Sequence, residues 1–210
     1  MTTLVQLRQK ARNFVKDTIT DPTKQKVSDE ELSDYALYAI ADYSSHFPRS
    51  LILLVDPPVV SIAAPDDMVP GESSVDLVEV GGKFWAKVLL TEGVSLPTTG
   101  YFYFWRGGQL TLSTPPSSPV YVHYRGLHLM PEADEDVLTV PLADLELLVV
   151  YMAAKFHQKM GTVAAKLDRF KETGRRDDNP LVFMHDVLLQ QYNEKLADRM
   201  HRGTVRVRKA

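Results

Sequence analysis

The chain has 210 residues, with 24 lysines and arginines against 27 aspartates and glutamates, and it contains no cysteine. This length suffices to bury a core, and a hydrophobic share of 44% excludes the disordered and low-complexity classes. The lack of cysteine excludes disulfides, thiolate nucleophiles, cysteine-based zinc sites and iron–sulfur clusters. A net charge of −3 predicts no general attraction to nucleic acid or to anionic lipid.

The distribution of charge also argues against membrane segments. Arg8, Lys10 and Arg12 lie where a signal peptide would need an apolar core. The longest apolar stretch, 145–154, contains Glu146 and is far shorter than the roughly 20 residues that cross a bilayer. We therefore expect a protein that makes no contact with a membrane.

Two helices are predicted before residue 50. Apolar residues recur at helical spacing over 3–17, behind Thr3 as a cap. Ser28 and Glu31 have the spacing of a capping box, in which each side chain bonds the other residue's amide, and this predicts the start of a second helix. The Phe47-Pro48 pair predicts its end, because the residue before a proline avoids the α region.

The middle of the chain has the texture of a β domain. Gly81-Gly82 and Gly107-Gly108 separate strand-like runs and are hairpin signals, because glycine readily adopts the positive φ angles of tight turns. We predict an inserted antiparallel β domain over 51–131, either a sandwich or a barrel. Its predicted strands cover 51–55, 59–63, 75–80, 83–90, 101–106, 109–113 and 120–130.

The remaining sequence returns to helix. Pro141 suits the first turn of an apolar helix that we expect to stop at Gly161. A shorter helix over 162–173 and a final helix that ends at Gly203 should follow. The predicted fold class is α+β: a helical bundle with two N-terminal and about three C-terminal helices, an inserted antiparallel β domain and an extended basic tail. The predicted domains are a helical domain over 1–50 and 132–202, the β domain over 51–131, and a docking tail over 203–210.

No pattern of catalytic or metal-binding residues is recognisable. The six histidines are scattered, and the close pair His123 and His128 has opposite parity on one predicted strand, which points the rings to opposite faces. The Gly-Gly pairs lack the lysine and the following helix of a phosphate-binding loop. We predict no enzymatic activity, no bound metal and no cofactor.

The densest aromatic run is 101–105, in which Phe102 and Phe104 share one strand face. Tyr101, Tyr103 and Trp105 share the other face. One interpretation places the face of Phe102 and Phe104 in the core of the β domain, with the other face packed under the proline-rich stretch 114–119. A second makes the Tyr/Trp face a partner surface, since such aromatics dominate protein interfaces, and a sugar-binding platform would use the same residues.

The stretch 145–154 is apolar nearly all round a helix, so most of its sides must be covered. The chain's own helices and β domain are one possible cover. Neighbouring copies in an oligomer are the other, and this is the one that we favour. The predicted intersubunit residues are Leu145, Leu148, Val149, Tyr151, Met152 and Phe156.

The end of the chain is strongly basic, with a net charge of +5 over 195–210 against −8 for the remainder. Arg206 and Arg208 alternate with Val205 and Val207, so this tail could add a strand to the sheet edge of a partner. A solvated terminus and weak, salt-sensitive contact with DNA are the alternatives. The predicted docking residues are Arg202, Thr204, Val205, Arg206, Val207, Arg208 and Lys209.

The order of these parts resembles the head–tail adaptor proteins of tailed bacteriophages, also called connector or head-completion proteins. The resemblance is carried by the Ser28-Asp29-Glu30-Glu31 start, the exit from Tyr43 to Arg49, the β-rich insertion, the apolar helix and the basic C-terminal segment. In that family helical subunits form a ring, usually of about twelve copies, beneath the portal protein. The ring prolongs the DNA channel toward the tail.

The resemblance implies a structural virion protein in the neck of the particle, assembled in the host cytoplasm. Arg202 to Lys209 would grip the portal, and the helix at 141–160 would form the ring. The implied partners are further copies, the portal, and a tail, second-adaptor or fibre protein, while DNA passes without sequence-specific binding. The alternatives are a tail, neck or baseplate component that anchors fibres through the β domain, and a soluble carbohydrate- or small-ligand-binding module.

Overall fold

The computed structural model describes residues 2–18, 25–70, 72–90, 95–166 and 180–203. The first helix, α1, covers Leu4–Val15. Thr3 caps it by accepting from the Gln6 amide, and the Thr3 amide donates to the Gln6 side chain in return. Lys16, with a φ of 57°, ends it in the left-handed region.

The second helix, α2, covers Asp29–His46. The predicted capping box is confirmed: the Glu31 amide donates to Ser28 Oγ over 3.2 Å, and the Ser28 amide donates to Glu31 Oε2 over 3.1 Å. The predicted end is also confirmed, since α2 ends at His46, immediately before Phe47-Pro48. Acidic residues in its first turn suit the positive end of the helix dipole.

Helix α3 covers Leu145–Lys166 and follows a short 3-10 turn at Leu142–Asp144. It runs through Gly161, so the predicted stop there is wrong. Gly161 is buried, and a Cβ at this position would lie 3.1 Å from Val182 Cγ2 of helix α4, Pro180–Gly203. The absence of a side chain at Gly161 therefore allows α3 and α4 to pack closely. The first residues of the helix predicted over 162–173 belong to α3, and residues 167–173 lie outside the described residues.

The chain divides into two compact units, a helical unit of Met1–His46 and Leu129–Ala210 and a β unit of Phe47–His128. In the helical unit α3 packs against α1, α2 and α4, and α1 also packs against α2. Its most deeply buried large side chains are Leu7, Val27, Leu32, Ile40, Tyr43, Leu148, Val150, Met152 and Tyr192.

Two buried arginines join α1 to the start of α2. Arg12 donates to Asp17 over 3.1 Å, to Asp29 over 2.7 Å and to the Val27 carbonyl over 3.0 Å. Arg8 donates to the Ser33 hydroxyl of α2 over 2.8 Å and to Asp134 over 2.6 Å. These arginines lie on the apolar face of α1, and their buried charge is compatible with the core because carboxylates and carbonyls surround it.

The β unit consists of one curled sheet of seven strands, in the order β1-β7-β3-β4-β5-β6-β2. Neighbouring strands are antiparallel except β4 and β5, which run parallel, so the prediction of a wholly antiparallel domain is wrong at this pair. The strands are β1 (Arg49–Val55), β2 (Ser61–Ala63), β3 (Val75–Val80), β4 (Lys83–Lys87), β5 (Phe102–Arg106), β6 (Gln109–Leu112) and β7 (Val120–Gly126).

Both predicted glycine hairpins are confirmed. Gly81 and Gly82, with φ angles of 56° and 75°, connect β3 to β4 so that Val80 pairs with Lys83. Gly107 and Gly108, with φ angles of 58° and 79°, connect β5 to β6 in the same way. Positive φ at both central residues is the conformation that favours glycine in two-residue hairpins.

A single core lies within the curl of the sheet. Strands β2 to β7 contribute to it, and β1 adds Leu51, Leu53 and Val55, which are partly buried. The described part of the chain is thus a mixed α+β protein with four helices and one curled sheet. The buried core residues of the β unit are Ile62, Met68, Val75, Val78, Val80, Trp85, Tyr103, Leu110, Leu112, Val120, Val122 and Tyr124.

Candidate functional site

A cleft in the β unit lies between a pair of aromatic side chains and the loop that joins β6 to β7. Its volume is about 410 Å³. Because β6 and β7 are separated by three strands in the sheet, this loop must cross from one part of the sheet to another. The cleft is lined by Val80, Gly81, Lys83, Trp85, Tyr101, Thr114, Pro115, Pro116, Ser117 and Ser118.

The parallel pairing of β4 with β5 positions the aromatic wall of the cleft. The Ala86 amide donates to the Tyr101 carbonyl over 3.0 Å, which sets Tyr101 beside Trp85. The two ring centroids lie 5.3 Å apart at an interplanar angle of 39°. Lys83 Nζ lies 5.8 Å from the centroid of the Tyr101 ring, within the range of a cation–π contact.

The predicted partner surface of Tyr101, Tyr103 and Trp105 is not formed as a unit. Tyr101 is 58% exposed, but Tyr103 is only 2% exposed and lies in the core, and Trp105 is partly buried against that core. The face that carries Tyr103 and Trp105 is therefore the inner face of β5. Burial raises the pKa of the Tyr103 hydroxyl, and the nearby Asp76 raises it further.

Trp85 is one of the cleft residues that were not predicted from the sequence, and Lys83 is another. Trp85 lies in the run 83–87, directly after the Gly81-Gly82 turn. Tyr101 lies fourteen residues after Lys87, the last residue of β4. No local pattern predicts that the Tyr101 and Trp85 rings meet. The available signal was the alternation along β4, where Trp85 is the single buried residue.

The predicted intersubunit residues of α3 are covered by their own chain. Leu148 and Met152 are completely buried, and Leu145, Val149 and Phe156 are buried as well, while Tyr151 is half-buried. The reason is that α1, α2 and α4 all pack on this helix. The alternative left open by the sequence, cover by the chain's own helices, thus accounts for the five buried side chains, and of the six residues Tyr151 alone keeps an exposed part.

Most of the predicted docking tail lies outside the described residues. This holds for Thr204, Val205, Arg206, Val207, Arg208 and Lys209, and for the side chain of Arg202. Two basic residues just before the tail are paired within the helical unit: Lys195 with Glu146 over 2.5 Å, and Arg199 with Asp144 over 3.0 Å. Part of the +5 charge of 195–210 is therefore matched by the start of α3.

Two tyrosine–aspartate pairs cross the helical unit. The Tyr43 hydroxyl donates to Asp144 over 2.6 Å, and the Tyr192 hydroxyl donates to Asp42 over 2.5 Å. Burial raises the pKa of both tyrosines, and their bonds to the carboxylates raise it further. Such hydroxyls remain protonated donors, so these pairs hold helices together.

The histidines do not form a metal site in the described part of the chain. His128 Nε2 lies 3.0 Å from the Phe47 carbonyl and His185 donates from Nδ1 to the Ala154 carbonyl over 2.9 Å. Burial lowers the pKa of His157, and Lys26 and His185 lower it further. Across the ranges that the structure describes, no group of three or more metal-ligating side chains occurs.

Comparison of the chain with protein-family models and with curated proteins finds no match. Among the helices that the structure describes, none combines the length and the apolar character needed to cross a membrane. The order of the elements, the charge of the chain and the geometry of the cleft are therefore the features that bear on function.

Proposed function

We propose that the protein is a head–tail adaptor of a tailed bacteriophage. It would be a non-enzymatic virion protein that forms a ring below the portal, prolongs the DNA channel and provides the platform to which the tail attaches. One observation carries the proposal: a β unit with its own core, Phe47–His128, is inserted between α2 and α3 of a helical unit. This is the order of parts on which the resemblance to the adaptor family depends.

The helical unit would form the ring. Its core is closed by α1, α2 and α4 around α3, so a single copy can fold before it meets its neighbours. Ring contacts would then use apolar side chains that remain exposed on this unit, such as Tyr38, Leu142 and Phe183. Each contact is modest, but ring closure and a portal with repeated sites make the sum strong through multivalency.

The basic tail, 203–210, would dock on the portal. Lys195 and Arg199 are occupied by Glu146 and Asp144, so the docking charge would come from Arg202 and the residues after it. The alternation of valine and arginine suits strand addition to a partner's sheet edge, with the arginines paired to acidic residues of the portal.

The test is co-sedimentation with a purified portal ring from the same phage. Deletion of 203–210 should abolish joining, while the truncated protein keeps its fold by circular dichroism. The double variant Arg206→Glu, Arg208→Glu should weaken joining and change its salt dependence, because it reverses the docking charge. The control variant Lys10→Glu, Lys16→Glu makes the same change of net charge at exposed residues of the helical unit and should join normally. Joining of the truncated protein as well as the intact chain would contradict docking by the tail.

A further inference from the structure

The loop wall of the cleft carries polar groups that the fold itself does not use. Thr114, Ser117 and Ser118, each with a hydroxyl group, are among the residues that line the cleft. In the part of the chain that the structure describes, none of the three forms a hydrogen bond. Each hydroxyl can donate one hydrogen bond and accept others. This wall therefore offers three adaptable polar groups to a ligand that carries many hydroxyls of its own.

The opposite wall is a supported aromatic platform. Tyr101 is exposed, and its ring lies against Trp85, which is buried in the core of the β unit. The contact with Trp85 limits the motion of the Tyr101 ring without covering it. An amphipathic ring held in this way gives contact area at little entropic cost, and it suits the apolar C–H face of a sugar ring.

The charge of the cleft has one sign. Among the residues that the structure describes, Lys83 is the only charged one in the lining of the cleft, and none of them contributes a carboxylate. The Lys83 ammonium, placed near the Tyr101 ring, has no carboxylate partner among the described residues. A ligand with a negative group would supply that partner and gain a charge-assisted hydrogen bond.

We infer that this cleft binds an acidic saccharide, with a sugar ring on Tyr101, its carboxylate at Lys83 and its hydroxyls on the loop 114–119. A cleft of about 410 Å³ lies within the range of small-molecule sites and holds a ligand of one or two sugar rings. The inference does not depend on ring formation, because every group that it uses belongs to the β unit.

A proline-rich peptide is the competing occupant, because such peptides dock on aromatic grooves. The residues that line the cleft favour the saccharide instead. Pro115 and Pro116 of the protein's own loop already form part of the wall that faces the aromatic pair. The remaining groups of that wall are hydroxyls, which match a saccharide better than another proline ring.

The experiment is calorimetric titration of the full chain with digalacturonic acid and, as the neutral probe, maltose. The acidic probe should bind, and the neutral probe should bind several-fold more weakly. Raising the salt concentration should narrow this difference, because it screens the Lys83 charge. A proline-rich decapeptide is titrated in parallel.

Three variants locate the site. Tyr101→Ala should weaken binding of the acidic probe by about tenfold or more, because it removes the platform. Lys83→Gln should remove the preference for the acidic probe over the neutral one. Phe84→Ala is the matched control: Phe84 is 67% exposed and lies between Lys83 and Trp85 on β4, but it does not line the cleft. This variant should bind like the wild type.

Three results would overturn the inference: no binding of either saccharide by the wild type at millimolar concentration, binding that Tyr101→Ala and Phe84→Ala weaken equally, or binding of the peptide in place of both saccharides. None of these results bears on whether the chain joins a portal ring. Failure of the chain to join a portal ring would likewise have no bearing on whether the cleft binds a saccharide.

Discussion

The buried carboxylate of Asp144 connects two elements of the helical unit, α2 through Tyr43 and α4 through Arg199. It is 4% exposed and accepts hydrogen bonds from the Tyr43 hydroxyl and from Arg199. Replacement Asp144→Ala removes the carboxylate that accepts from the buried Tyr43 hydroxyl over 2.6 Å. We expect the free energy of unfolding to fall by about 1–3 kcal/mol, measured by urea denaturation.

Glu146→Ala is the matched control for this prediction, two residues further along the chain. The Glu146 side chain is 70% exposed and pairs with Lys195 at the surface. Exposed pairs contribute little, so the loss should stay below about 1 kcal/mol. Equal losses for Asp144→Ala and Glu146→Ala would contradict the role assigned to Asp144.

His157 makes the stability of the helical unit depend on pH. Burial lowers its pKa below the ordinary value of 6.5, and the positive charges of Lys26 and His185 lower it further. The folded state therefore binds fewer protons than the unfolded state between the lowered pKa and 6.5. Stability is complete above pH 6.5 and falls as the pH drops through that window.

Urea midpoints at about pH 7.5 and about pH 5.5 measure this effect. The wild type should lose stability at the lower pH, and His157→Gln should lose less, because its side chain does not titrate. His46→Gln, at the exposed end of α2, is the control and should behave like the wild type. Glu31 contributes in a lower pH range, since its bonds to Lys159 and to the Ser28 amide hold its pKa below the ordinary value of 4.5. An unchanged pH dependence in His157→Gln would show that other groups cause it.

Single residues of β5 show how far the sequence could be read. Alternation correctly grouped Tyr103 with Trp105 on one face, because side chains of a strand point to opposite sides in turn. It could not say which face is buried, because both faces of the run 101–105 are aromatic. The core position of Tyr103 comes from its neighbours in the sheet, and no residue close in sequence specifies them.

At the scale of elements, the β3–β4 hairpin provides a direct test of backbone conformation. Gly82 has a φ of 75°, and a Cβ added there would meet no atom within 4 Å. The cost of Gly82→Ala should therefore come from the left-handed backbone alone, about 1–2 kcal/mol. Urea denaturation of the variant measures this loss.

Gly82→Asn is the control, because asparagine adopts the left-handed region more readily than alanine. It should be more stable than Gly82→Ala although its side chain is larger. If the larger side chain were instead the more damaging one, crowding rather than backbone strain would determine the cost, contrary to the open space around Gly82.

The elements that the sequence predicted correctly are those with local signals. The capping box at Ser28 and both glycine turns depend on residues within four positions of each other. The parallel pairing of β4 with β5 and the passage of α3 through Gly161 depend on distant partners. The cleft depends both on a local sequence signal and on the pairing of distant strands. Tyr101 was therefore predicted as a surface residue, whereas the position of Trp85 beside it was not predicted.

At the scale of the whole molecule, the change of texture along the sequence predicted an insertion over 51–131, and the β unit covers Phe47–His128. The unit begins a few residues earlier than predicted because β1 begins at Arg49, before the first apolar run. Charge was harder to interpret, because the total of +5 over 195–210 includes Lys195 and Arg199, which pair with Glu146 and Asp144.

The central claim is that many copies of this chain assemble on a portal. The most direct measurement is the native mass of the purified portal ring before and after mixing with an excess of the full chain. The account predicts one dominant product, heavier than the portal by a fixed ring complement of about twelve chains. A monomer in isolation is compatible with this, because the portal can template the ring. No added mass, or the mass of a single added chain, would contradict the account.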